Sequence, residues 1–260
     1  MDSYEFVSGN IERVRERVFK AAARAGRNPD SVTILAVTKF HPIEAAERAY
    51  ACGIRRFGEN RVQEALGKFS ADRRGAMSGC SIDLLGSLQS NKINKAIDFF
   101  DGMQSVDSSG LLDALCARAG RRGAPLSLML ELHTGEDSKS GFPDEDSLLH
   151  AIERFLTWKA GDEAAAEAVS PAPENSAAAI RGMLRLEGLM TMAPFTADEA
   201  AIRKAFRRLV AAAAKIRLRF GLSEAEFGML SMGMSGDYEI AVQEGSTLLR
   251  IGTAIFGERR

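Results

Sequence analysis

The 260-residue sequence is poor in several features that mark whole function classes. Its three cysteines, Cys52, Cys80 and Cys116, are far apart and odd in number, which excludes a disulfide framework and a paired zinc-binding CxxC. They are expected to be reduced thiols. The three histidines, His41, His133 and His150, have no metal-ligand spacing, and no metal site is expected. No run of 18 apolar residues occurs, so no transmembrane helix is expected. The start, "MDSYEFVSGNIERVRERVF", lacks the basic and apolar regions of a signal peptide, which makes the cytoplasm the expected compartment. Charge of one sign is lacking too: 34 basic and 35 acidic side chains leave a net charge of −1, without the basic excess of nucleic-acid binders. The one strongly basic stretch, "IRKAFRRLVAAAAKIRLRF", reads as an amphipathic helix with arginines on its wet face, and neither nucleic acid nor membrane is expected as a partner.

Apolar residues at 45% and charged residues at 27% are ordinary for a globular protein. The length suits a single domain over residues 1–260 and, in particular, a (β/α)8 TIM barrel. An opening helix over about residues 4–25 carries Phe6, Ile11, Val14, Val18 and Ala21 on one face and stops at Gly26 and Pro29. Eight apolar runs follow: 33–38, 55–58, 82–87, 102–106, 126–132, 186–192, 227–233 and 247–253. Helical stretches alternate with them, which predicts parallel strands with crossover helices and an extra N-terminal helix over one end or side. Residues 159–180 break the rhythm. They are rich in Ala, Pro, Glu and Ser, cannot bury much apolar surface, and are expected to form a flexible insertion.

In a parallel barrel, functional groups gather at the carboxyl ends of the strands. That rule selects Lys39, "GEN" (58–60), "GSLQSNK" (86–92), "GMSGD" (233–237) and "RIGT" (250–253). An amine at the mouth of an apolar strand can lose hydration, which disfavours the ammonium form and suits Schiff-base formation with a carbonyl. A lysine here could equally snorkel its head to solvent. Ser235 and Gly236 at the start of a short helix, with Gly252 and Thr253 at the end of the last strand, make an anion site where barrels often hold phosphate. A carbonyl-reactive lysine facing a phosphate cup suggests pyridoxal 5′-phosphate (PLP). Arg250 shares a strand face with Gly252 and should point into the mouth. It could pair with Glu131 or Glu187, or donate to a pyridine nitrogen, which would then stay unprotonated and make the ring a poor electron sink.

The motifs "AVTKF", "FGENRVQEA", "GSLQSNK", "SKSG", "GLMTMAP" and "LSMGMSGDYEIAVQEGSTLLRIGTAIFG" resemble, in order, those of the pyridoxal phosphate homeostasis protein family. The resemblance implies an alanine-racemase-type barrel that binds PLP, with Lys39 as the Schiff-base lysine and Asn60 lining the cofactor. It further implies Met234, Ser235, Gly252 and Thr253 on the phosphate side, Arg250 at the pyridine nitrogen, and Lys139 of "SKSG" as a secondary lysine. The sequence departs from the family at Leu84 and Leu85, where an aromatic or histidine-containing stretch is usual, and in the length of the 159–180 insertion.

Three functions are compatible with these residues. The first is a monomeric PLP carrier that buffers the cofactor or delivers it to PLP-dependent apoenzymes without turnover. The second is a PLP-dependent amino-acid racemase, which needs two bases on opposite faces of the α-carbon. The tyrosines Tyr4, Tyr50 and Tyr238 lie in helical or turn segments, and the sequence shows no evident second base. A cofactor-free Schiff-base aldolase explains Lys39 but leaves the phosphate cup and Arg250 without a task.

Overall fold

Eight short strands pair in sequence order, every neighbour parallel, and the last closes onto the first. They are β1 (Thr33–Val37), β2 (Arg56–Glu59), β3 (Ser81–Leu84), β4 (Gly102–Val106), β5 (Leu126–Glu131), β6 (Leu184–Met190), β7 (Met229–Ser231) and β8 (Leu248–Ile251). The computed structural model describes residues 4–135, 140–161 and 181–258. Helices follow the strands around the outside, so the architecture is the expected (β/α)8 barrel.

Alternation along each strand divides the apolar residues between two cores. Outward-facing Ala36, Phe57, Ile82, Leu128 and Leu249 meet the surrounding helices in the large core. Inward-facing Leu35, Val37, Met129, Met190 and Leu248 form a second cluster that fills the barrel. Both faces are covered, which is why the strands read as near-continuous apolar runs.

The N-terminal helix spans Phe6–Arg24 and buries Val7, Ile11, Val14, Val18, Ala21 and Ala22. Phe6 was expected on that face but is 43% exposed, and Val7 takes its place one residue on. The helix packs against the chain's last helices; Asn10 donates to the Ile255 carbonyl at 2.7 Å, and Arg17 pairs with Glu239 at 2.9 Å. It therefore covers the side of the barrel at the β8–β1 closure.

Strand ends differ from the expectation at the mouth. β3 stops at Leu84, β7 at Ser231 and β8 at Ile251, and the helical turn Glu224–Phe227 also shortens β7 from its amino end. Ahead of the insertion, the helix Glu145–Ala160 ends on Gly161 in the left-handed conformation, with the Phe155 and Trp158 rings 5.7 Å apart. Residues 162–180, most of the expected insertion, and Lys139 lie outside the described residues. Among the described residues no helix is long and apolar enough to cross a membrane, and no metal-ligand cluster occurs. All three cysteines are free.

Candidate functional site

Lys39 stands two residues past Val37, in the turn that leaves β1. Leu35 and Val37 face the barrel interior, and Lys39 follows them at the carboxyl end of the strand, at the rim of the barrel mouth. Its turn is unusual. Phe40 has φ 65, the only positive value at a non-glycine among the described residues, and a left-handed conformation there costs about 1–2 kcal/mol. Two bonds hold it: the Phe40 amide donates to Glu64 Oε1 at 2.5 Å, and the His41 amide donates to the Thr38 carbonyl at 3.0 Å. The His41 ring lies 5.1 Å from that of Phe256, beside the extended Pro42 that caps the next helix.

Beneath the turn sits a buried ionic cluster that sequence reasoning missed. Lys68 Nζ donates to the Thr38 carbonyl and to Glu59 Oε1, both at 2.6 Å, and pairs with Glu64 at 3.2 Å. Thr38 Oγ1 donates to the same Glu59 oxygen at 2.6 Å. Glu59 is fully buried, and burial pushes its carboxyl up while Lys68 pulls it down. The pair Glu64–Lys68 was legible as an i,i+4 pair with the acid first; Glu59, on a strand, carried no such signal.

The phosphate-side residues lie where β7 and β8 end. Ser235 and Gly236 occupy the turn before the helix Tyr238–Gln243 rather than its first turn, and Asp237 closes that turn by accepting from the Met234 amide at 2.6 Å. Gly233, at φ 97, leads into it; a Cβ there would come within 2.5 Å of Ala241 Cβ. Thr253 does not end the last strand. It opens a short helix, Thr253–Phe256, with Gly252 at its N-cap. Ser235 Oγ accepts from the Ala254 amide at 3.1 Å, which ties the two loops together. Met234, in the same turn, is 37% exposed.

Arg250 is buried inside the barrel. Neither carboxylate weighed as its partner is paired with it: Glu131 accepts from Ser140 Oγ at 2.8 Å, and Glu187 accepts from the Ser127 hydroxyl at 2.5 Å. Arg250 instead donates from Nη1 to Ser231 Oγ at 2.7 Å and from Nη2 to the Thr191 carbonyl at 2.8 Å. Burial pulls its pKa down to about 10, against the fields of Asp237 and Glu131, so it remains a cation at neutral pH. Among the described residues it forms no ion pair.

Strand order brings these parts together. β1 lies between β2 and β8, with Val37 beside Gly58 and Ala36 beside Ile251. A Cβ on Gly252 would lie 3.5 Å from Val37, and the Arg250 amide donates to the Gly233 carbonyl at 2.9 Å. Lys39, Asn60, Ser235, Arg250, Gly252 and Thr253 therefore share one barrel mouth. The "GSLQSNK" stretch contributes a neighbouring cavity of about 520 Å³, lined by Asn60, Gln63, Ser87, Gln89 and Lys92. Leu84 points into the outer core, while Leu85 packs against the inner one.

The donor set suits a small anionic aldehyde with a ring acceptor: an amine, a hydroxyl beside backbone N–H groups, and a buried guanidinium that, among the described residues, is bound to neutral acceptors. Comparison with known proteins points the same way. Residues 10–162 match the model of the alanine racemase N-terminal domain. A pyridoxal phosphate homeostasis protein of Pseudomonas aeruginosa is 38% identical over 256 residues, which cover 97% of this chain and 96% of that one. PipY of Synechococcus elongatus, solved with PLP bound, matches with a TM-score of 0.72 at 33% identity, over 94% of this chain and all of that one. Alanine racemase of Streptomyces coelicolor shares the fold alone, with a TM-score of 0.64 at 20% identity, and the match covers 57% of its length. On the Pseudomonas and Synechococcus matches, which run almost end to end, the chain belongs to the pyridoxal phosphate homeostasis protein family, built on an alanine-racemase-type barrel.

Proposed function

We propose that this chain binds PLP at the mouth of its single barrel domain and buffers or delivers it, as a monomer in the cytoplasm serving PLP-dependent apoenzymes, without turning over an amino acid. The observation that carries the proposal is Arg250, a buried cation held by a hydroxyl and a carbonyl and lacking an ion pair among the described residues. PLP supplies an aldehyde that condenses with an amine, and Lys39 is the amine placed to receive it. Ser235, with the backbone at Gly252 and Thr253, would hold the phosphate. Met234 and Asn60 would line the two sides, and Arg250 would donate to the ring nitrogen.

A guanidinium only donates, so a nitrogen facing it serves as acceptor and carries no proton. That arrangement weakens the ring as an electron sink and favours holding over turnover. A racemase would need a second base on the opposite face of the α-carbon, and neither Tyr50 nor Tyr238 is placed to supply it. Tyr50 donates its hydroxyl to the Ser78 carbonyl just ahead of β3, at the opposite end of the barrel, and Tyr238 is buried beside Arg17.

The test is spectroscopic and chemical. Protein incubated with PLP should absorb near about 420 nm, as Schiff-base-bound PLP does, and borohydride followed by peptide mapping should place the label on Lys39. Lys39→Ala should be colourless. Label on another residue with Lys39 unmodified would refute the assignment, and robust racemisation of common amino acids by the loaded protein would overturn the carrier role.

A further inference from the structure

A chain of polar side chains crosses the barrel interior from its amino end to the mouth. Arg56, at the start of β2, donates from Nε at 2.9 Å and Nη2 at 2.8 Å to Asp83 Oδ2 on β3. Gln104 on β4 donates from Nε2 to the same oxygen at 2.5 Å. Ser231 on β7 donates to Gln104 Oε1 at 2.6 Å, and Arg250 on β8 donates to Ser231 Oγ at 2.7 Å. Asp83, Gln104 and Ser231 are buried.

We propose that this chain fixes the orientation of Arg250, making Ser231, Gln104 and Asp83 positioning residues for its contact with the pyridine side of PLP. The proposal rests on the PLP-binding function above. Its direction follows from donor and acceptor counting. Three N–H groups converge on Asp83 Oδ2, which can only accept them, and any proton the carboxyl takes up falls to the unpartnered Oδ1. Reversing the Gln104 amide would set two acceptor oxygens 2.5 Å apart, so its N–H₂ must face Asp83 and its oxygen must face Ser231. Ser231 has one proton, and it goes to that oxygen. A lone pair is left for Arg250.

The guanidinium is planar and rigid. Anchored at Nη1 by Ser231 and at Nη2 by the Thr191 carbonyl, it keeps one plane, and its remaining N–H groups keep one direction. Loss of the Ser231 anchor leaves a single tether and lets the cation turn toward Glu131 or Asp237, whose fields it already feels. The chain thus holds a buried arginine on neutral partners and off the nearby carboxylates.

The experiment compares the affinity of PLP with that of its 1-deaza analogue, which keeps the aldehyde and phosphate but has C–H in place of the ring nitrogen. Wild type should prefer PLP by about tenfold or more, the scale of a hydrogen bond to a charged donor. In Ser231→Ala and Gln104→Leu the two ligands should bind within about twofold of each other, with borohydride label still on Lys39. Ser231→Thr, which keeps the hydroxyl, should restore the preference. If Gln104→Leu does not fold, Ser231→Ala decides alone. Equal weakening of both ligands with the preference intact marks a merely structural role and overturns the inference. So does a wild type that binds PLP at Lys39 without preferring it, while the PLP-binding function survives. A wild type that binds neither ligand overturns both.

Discussion

Replacing Lys68 with methionine tests whether the buried cluster supports the turn that carries Lys39. Methionine keeps the length and most of the apolar stem but removes the charge that lies 2.6 Å from Glu59 and 2.6 Å from the Thr38 carbonyl. The side chains of both ionic partners are nearly inaccessible, 7% for Lys68 and 0% for Glu59. Breaking a buried pair from one side costs about 3–5 kcal/mol, because the remaining charge is stranded. Glu59 already carries one oxygen without a partner, so the upper half of that range is expected near neutral pH.

The loss should depend on pH. Burial raises the Glu59 carboxyl above its ordinary value of 4.5, and Lys68 is the strongest influence opposing that rise. Between 4.5 and the raised value the folded state holds more protons than the unfolded one, so stability falls as pH rises through that window. Without Lys68 the window extends upward. The penalty is then larger at neutral pH and shrinks as pH falls through 4.5, below which the carboxyl is protonated in both states. Urea unfolding of wild type and Lys68→Met at about pH 7.5 and about pH 5 measures it. Glu59→Gln in the same chain should recover part of the loss at the higher pH, since no charge is then stranded. A loss below about 1 kcal/mol, the range of exposed pairs, or a loss equal at both pH values, would refute the account.

The barrel was legible because its strands are buried on both faces and separated by helical periodicity; eight runs in alternation admit few other folds. Strand ends at the mouth were less legible. Glycine and polar residues continue an apolar run in sequence after the backbone has already left the ladder, as at Leu84 and Ile251. β2 is short and carries a charge inside the barrel for a physical reason: Arg56 faces inward to a partner, Asp83, on the next strand. The locations of Lys39, Ser235 and Arg250 followed from the strand-end rule together with the family resemblance. Their supports did not. Asp83, Gln104 and Ser231 lie on three strands and meet only through barrel register, and no local pattern announces such a meeting.

Two further outcomes follow from burial and close approach. Burial pushes the Cys116 thiol up to about 12, so iodoacetamide at about pH 8 should leave it unmodified in the native protein and label it in urea; rapid native labelling of Cys116 would contradict its placement. The second outcome concerns Gly86, which follows β3 at the point where the loops after β2 and β3 cross. A Cβ there would lie 2.2 Å from the Asn60 carbonyl oxygen, a backbone atom that cannot swing aside, so Gly86→Ala must push the two loops apart. Asn60 moves with its carbonyl, and Glu59, the anchor of the Lys39 turn, is its neighbour. PLP affinity should therefore fall by about tenfold or more, because displacing a binding group by even an ångström forfeits most of its hydrogen bond. Gly75→Ala is the control: its Cβ meets nothing within 4 Å inside the helix Ala71–Ala76, and alanine there should leave affinity unchanged while stabilising the fold by about 0.5–1 kcal/mol. Equal affinities in the two variants would show that the close approach of Gly86 to Asn60 has no part in shaping the cofactor site.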